Sequence, residues 1–268
     1  MRRPLCRRVV LAMVMVMVMA VAGLAPARAE EAFRVGVMSG DGELLMEQVA
    51  LQAKAQGLPL RVVAFSDYLL PNEALNHGEL DANAFQHMPY LENQVKSRGY
   101  RLVSAGWTVV SPIGLYSRKV KSPAALADGA RVGIPNDPSN GGRGLNLLAT
   151  LGVITLRPGA GITPTTLDIA ANPKKLRIVE LDAGIIARSL DDLDAAVVNT
   201  DWALKSGLGL DLRIAAEAVE DNPYRNVIAV RAGQENDPRV KRFVAAYQSD
   251  AVKAWIIQHY QGRQLPAW

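Results

Sequence analysis

The sequence predicts an α/β protein, and two observations carry that reading. Strand-like and helix-like runs alternate through most of the chain. They also fall into two sets, separated by the Ser111-Pro112 step and the region around Gly114. Two lobes joined by two crossovers, or one doubly wound sheet, would both give this pattern. Periodicity alone does not choose between them.

In the first set, residues 33–38 alternate and run into Ser39-Gly40-Asp41-Gly42. Residues 43–56 then place Leu45, Val49 and Ala53 on one helical face, and Gly57 ends the run. Residues 60–65 read as a second strand. A strand, helix and strand in this order predict a parallel pair. Residues 89–98 form a further helix that stops at Gly99, and 101–110 form a long strand. In the second set, 131–134, 176–181 and 194–199 read as strands, with helices at 144–151 and 183–190. Residues 226–231 give a later strand, followed by helices at 238–247 and 250–260. On the two-lobed reading, lobe 1 comprises residues 30–110 plus 228–268 and lobe 2 residues 111–227. The crossovers between them make a hinge, and the cleft they span is where a ligand sits.

The first 29 residues are expected to be a signal peptide. Arg2, Arg3, Arg7 and Arg8 precede an uncharged apolar run from Val9 to Leu24, and Ala27-Arg28-Ala29 offers small residues for cleavage after Ala29. The run is short for a membrane span, which needs about 20 residues. This segment holds five of the 30 basic residues and none of the 26 acidic ones, so the remainder carries 25 against 26. The formal charge of +4 is therefore a property of the leader. Bulk charge gives no basis for nucleic-acid binding. Cys6 is the one cysteine. The mature chain then has no disulfide, no thiolate chemistry and no lipid-accepting cysteine after the apolar run, which predicts a soluble periplasmic protein.

Catalytic patterns are poorly represented. His77, His87 and His259 are widely spaced, so no histidine metal site is expected, and no catalytic residue or cofactor is assigned. Asn140-Gly141-Gly142-Arg143 lacks the lysine of a P-loop. Four segments instead suit recognition. The run Asn83-Ala84-Phe85-Gln86-His87-Met88-Pro89-Tyr90 puts rings beside a loop imidazole, with Pro89 fitting the first turn of a helix. Aromatic rings around a neutral imidazole suit an apolar or thioether group. In Asn136-Asp137-Pro138-Ser139-Asn140-Gly141-Gly142-Arg143, the glycines are expected to turn amides toward a ligand just before a helix, with Arg143 gripping a carboxylate. Asn199 ends a predicted strand, where α/β sheets face their crevice, and Asn226 precedes the return strand. An ordinary capped helix and a solvated arginine account for the second run equally well, and asparagines such as 199 and 226 are more often turn or cap residues.

Longer runs resemble a known family. Phe65-Ser66-Asp67-Tyr68, Pro71-Asn72-Glu73-Ala74-Leu75-Asn76, Phe85-Gln86-His87-Met88-Pro89-Tyr90-Leu91 and Ile134-Pro135-Asn136-Asp137-Pro138-Ser139-Asn140-Gly141-Gly142-Arg143 are similar to the NlpA family of methionine-binding ABC transporter proteins. Val198-Asn199-Thr200 and the closing Pro266-Ala267-Trp268 fit as well. The resemblance implies a two-lobed periplasmic binding protein of type II, each lobe a mixed sheet flanked by helices, with a two-segment hinge. It implies a side-chain pocket of Tyr68, Phe85, His87 and Tyr90, a carboxylate grip at Arg143, and backbone-group contacts from Asn199 and Asn226. Asn140, Gly141 and Asn222 are further candidates. The implied function is capture of methionine, chiefly the L-enantiomer, by a monomer that delivers it to ABC permease subunits. D-Methionine, a methionine derivative and a short methionine-containing peptide are the alternative ligands, and a secreted enzyme acting on an amino-acid-like substrate is the alternative class. The missing cysteine departs from the family's lipoprotein habit, and the stretch 182–190 looks less typical than its neighbours.

Overall fold

Near-continuous burial of residues 33–38 suits a strand inside the first sheet, and the partial exposure of residues 60–65 suits one at its edge. In the computed structural model, which describes residues 31–268, β1 (Phe33–Met38) and β2 (Leu60–Phe65) pair in parallel over their full length, Phe33 opposite Leu60 and Met38 opposite Phe65. The expected signal segment, with Cys6 and Ala29, lies outside the described residues. Between these strands, α1 (Asp41–Ala55) buries Leu45, Met46, Val49 and Ala53. Its start depends on Gly40, whose φ of 95° is open to glycine alone without strain, and whose amide donates to Glu43 Oε2 at 2.9 Å.

The chain continues through α2 (Leu70–Asn76), β3 (Ala82–Asn83), α3 (Met88–Arg98) and β4 (Leu102–Val110). It then crosses to β5 (Gly114–Tyr116), β6 (Arg131–Pro135), α4 (Pro138–Thr150), β7 (Thr155–Leu156), β8 (Ile169–Ala171), β9 (Arg177–Leu181), α5 (Ala183–Ile186), β10 (Ala195–Val198), α6 (Thr200–Lys205) and β11 (Arg213–Ala216). It returns in β12 (Arg225–Arg231), followed by α7 (Pro238–Tyr247), α8 (Asp250–Tyr260) and β13 (Leu265–Pro266).

Two mixed sheets result, with the small β7–β8 ribbon beside them. One runs β13-β4-β12-β3-β1-β2 and the other β11-β5-β10-β6-β9. In the first, β3 joins β1 in parallel while β12 runs antiparallel to both β3 and β4. In the second, β6 lies parallel to β9 and β10, and β5 is antiparallel to β10. The sheets are joined by the chain between β4 and β5 and by the chain between β11 and β12. This is the two-lobed, two-crossover arrangement and excludes one doubly wound sheet.

Each sheet carries apolar clusters on its faces. Phe243, Tyr247, Val252 and Ile256 of α7 and α8 pack with α1 over the first sheet, while Leu75, Leu80 and Leu91 cover its other face. Leu145, Leu148, Val132 and Ile134 make one core of the second sheet. A further cluster crosses between the lobes: Met38, Phe65, Tyr68 and Phe85 of the first meet Ile186, Val198 and Trp202 of the second.

Two expectations need correction. The helix expected at 144–151 begins six residues earlier, at Pro138, because Asp137 caps it by accepting from the Asn140 amide at 2.9 Å. The glycines inside it serve packing rather than a turn: a Cβ on Gly141 would stand 2.7 Å from the Pro135 carbonyl oxygen, and one on Gly142 would stand 2.6 Å from Thr163 Cα. The helix expected at 183–190 is helical only over Ala183–Ile186.

Candidate functional site

The loop between β3 and α3 presents Phe85 and His87, and buried amides hold it in shape. Asn72 Nδ2 donates to Gln86 Oε1 at 2.7 Å, and Gln86 Nε2 donates back to Asn72 Oδ1 at 2.6 Å and to Asn83 Oδ1 at 2.9 Å. Asn83 Nδ2 closes the ring onto Asn72 Oδ1 at 2.9 Å. All three side chains are buried, so each bond also spares a desolvated amide from going unpaired. The loop is tied to β12 by the Val227 amide, which donates to the Gln86 carbonyl at 2.9 Å, and by Asn226 Nδ2, which donates to the Phe85 carbonyl at 3.3 Å.

His87 caps α3. Its Nδ1 accepts from the Tyr90 amide at 3.1 Å, which leaves the proton on Nε2. That nitrogen faces Asn140 Oδ1 across the lobes at 3.0 Å. The oxygen is an acceptor because Asn140 Nδ2 is committed to Asp137 Oδ2 at 2.9 Å, and it also accepts from Asn199 Nδ2 at 2.7 Å. Burial, reinforced by the charge of Arg143, holds the His87 pKa down to about 3. The imidazole is neutral in one defined tautomer.

Beside it stand three rings. Tyr68 lies 5.9 Å from both Phe85 and Tyr90, and Phe85 lies 6.0 Å from Tyr90, centroid to centroid. Trp202 approaches Tyr68 from the other lobe at 5.9 Å. The Tyr90 hydroxyl donates to the Tyr68 carbonyl at 3.0 Å, which fixes the angle between the rings. Burial, with Asp201 nearby, holds the Tyr68 hydroxyl well above its ordinary pKa, so it stays protonated.

The polar end is built around Arg143, on the first turns of α4. Its Nε donates to Glu217 Oε1 at 2.9 Å, and its Nη2 donates to Glu217 Oε2 at 2.6 Å and to the Ser111 carbonyl at 2.9 Å. Ser111 and Glu217 lie in the two different crossovers, so one guanidinium ties both to the second lobe. Its plane sits over the Tyr224 ring at 4.3 Å. Nη1 is the guanidinium nitrogen with no hydrogen bond among the described residues. Asn199 Oδ1 is likewise a buried acceptor with no partner among them.

Tyr68, Phe85, His87, Tyr90, Asn140, Arg143, Asn199 and Asn226 all line one cavity between the lobes. Gly141 and Asn222 do not. The Gly141 amide donates within its helix to the Asp137 carbonyl at 2.8 Å. Asn222 braces the second crossover, donating to the Ala218 carbonyl at 2.8 Å and to Glu217 Oε2 at 3.2 Å. Several residues escaped the sequence reading: Asp201 lines the cavity, Glu217 holds Arg143, Tyr224 underlies it, and Asn72 and Gln86 hold the loop. The recurrence of amide side chains at 72, 83 and 86 was the one available signal.

Two mixed sheets, two crossovers and an aromatic and polar cavity between them define a two-lobed solute-binding protein of the type II periplasmic class. The chain belongs to the NlpA lipoprotein family, whose model matches residues 33–268. It is 47% identical over 238 residues to the D-methionine-binding lipoprotein MetQ of Salmonella typhimurium, covering 88% of each chain. Its likeness to the same protein of Escherichia coli strain K12 is also 47%, over 240 residues and 88% of each chain. Among solved structures, a nutrient-binding protein from Burkholderia cenocepacia bound to methionine shares 49% identity at a TM-score of 0.86, over 88% of this chain and all 100% of that one.

These relatives overturn one expectation. The family is one of lipoproteins, and the Salmonella and Escherichia relatives are named as such. A soluble periplasmic protein freed by cleavage near Ala29 conflicts with that. The expectation rested on the lack of a cysteine beside one presumed cut, and such a lack does not decide how a chain is held at a membrane. Among the described residues, no helix is long and apolar enough to cross one.

Proposed function

We propose that this chain captures methionine, chiefly the L-enantiomer, between lobes comprising residues 30–110 plus 228–268 and residues 111–227, and delivers it as a monomer to the permease of an ABC importer. The observation that carries this is the convergence on one cavity of a three-ring slot and two unsatisfied polar atoms of opposite kind. The slot of Tyr68, Phe85 and Tyr90 suits a thioether, since sulfur contacts ring edges favourably. Arg143 Nη1 is a charged donor for the carboxylate. Asn199 Oδ1 is an acceptor for the ammonium, and Asn226 stands beside them. A zwitterion leaves water at tolerable cost only when such groups replace its hydration.

The names of the relatives support methionine as the ligand class. Some print the D-enantiomer, so a titration with both enantiomers decides the preference. Binding rather than turnover is favoured by His87, the acid–base candidate of an enzyme reading. Both its ring nitrogens are already committed, to the Tyr90 amide and to Asn140. Mass spectrometry of ligand extracted from the purified protein tests the proposal. Methionine at one equivalent per chain is expected, and a different molecule there refutes it.

A further inference from the structure

We infer that Asp201 is a positioning residue for ligand capture: from the second lobe it anchors Tyr68 of the first, latching the lobes shut over the site. This rests on the ligand-capture reading above. The Tyr68 hydroxyl lies 2.7 and 2.8 Å from the two Asp201 oxygens, a bond between residues 133 positions apart that spans the cleft. Asp201 occupies the first turn of α6. The hydroxyl satisfies a carboxyl group that is otherwise cut off from water, so removing either partner strands the other.

The same helix meets the first lobe twice more. Trp202 packs on the Tyr68 ring, and Lys205 Nζ donates to Ser39 Oγ at 2.6 Å while lying 4.9 Å over the Trp202 ring. Asp201, Trp202 and Lys205 stand at i, i+1 and i+4, so they present one side of a short helix to the opposite lobe. Opening the lobes would break the Tyr68 and Ser39 bonds together and separate the Tyr68 and Trp202 rings. The latch therefore biases the closed state, and it also fixes the Tyr68 ring that walls the slot. Loss of the latch should speed ligand release far more than it slows entry.

Stopped-flow tryptophan fluorescence on the full chain, with L- and D-methionine as probes, tests this in four forms: wild type, Asp201→Ala, Tyr68→Phe and the double variant. Asp201→Ala is expected to raise koff by about tenfold, the effect of stranding one buried hydrogen-bonding group. The double variant is expected to release no faster than Asp201→Ala alone. Asp201→Asn keeps the shape and an acceptor oxygen, and should fall between; it also serves if the alanine variant folds poorly. Release within about twofold of wild type, or effects of the two substitutions that simply multiply, overturns the latch. If the wild-type chain binds neither enantiomer, the ligand reading fails. The latch is then decided by solution scattering, with the Asp201 variants expected to show a larger radius of gyration than wild type, and an unchanged radius overturning it.

Discussion

Acidification should open this protein through one histidine. In the closed arrangement His87 is buried, neutral and bonded across the lobes to Asn140, with its pKa held down to about 3 by burial and then by Arg143. An opened or unfolded chain returns the ring toward water, where it titrates near its ordinary 6.5. Below that value the open state binds a proton that the closed state refuses. Falling pH therefore favours opening, and the loss starts near pH 6.5 and continues toward pH 3. At pH 5 the penalty reaches about 2 kcal/mol, roughly 30-fold in affinity, if opening fully rehydrates the ring. Neither the carboxylate nor the ammonium of a free amino acid changes charge appreciably between pH 5 and 7. The assay is calorimetric titration with methionine at half-unit steps across that window, on wild type and on His87→Gln. The glutamine can still donate to Asn140 but does not titrate. Wild-type affinity should fall with pH and the variant should lose that slope. Parallel slopes in the two proteins would refute the argument.

Other outcomes follow from the same geometry. Arg143→Ala should weaken methionine binding by more than about 1.4 kcal/mol, read by calorimetry. It should also lower thermal stability by roughly 3 kcal/mol, because it leaves the half-buried Glu217 unpaired. Adding Glu217→Gln should restore part of the melting temperature but not the affinity. Asn199→Ala should cost about 1–2 kcal/mol of affinity through the lost ammonium acceptor, with a smaller change in unfolding by denaturant. Asn72→Ala should destabilise the fold by about 2–3 kcal/mol, since it strands Gln86 and Asn83, and hydrogen exchange should show faster opening of residues 84–87.

Regular local patterning was readable before any coordinates. The strands at 33–38 and 60–65, the helix between them and the paired helices at 238–247 and 250–260 have the expected bounds within a residue or two. These elements have clean apolar periods and clear stops. The start of α4 was not legible. Its glycines lower intrinsic helix propensity, and their reason for being there is the approach of Pro135 and Thr163 from elsewhere in the chain. The short strands β5, β7, β8 and β11 carry too few residues for a period to show.

At the site, loop rings and strand-end asparagines could be picked out as recognition chemistry, because polar and aromatic residues at such positions have few local partners. What they bond to could not be picked out. Glu217 lies 74 residues from Arg143, and Asp201 lies 133 from Tyr68. Neither acid stands out along the sequence, and only the closing of one lobe on the other gives it a role. Gly141 shows the reverse error: a glycine read as freeing an amide for ligand is buried inside a helix turn.

The central claim is that this cavity takes methionine, and calorimetry on the purified chain stripped of any bound ligand tests it most directly. Saturable binding of one L-methionine per chain, with affinity weakened at least about tenfold in Arg143→Ala, is the expected result. No heat with either enantiomer, or binding indifferent to Arg143, would contradict it.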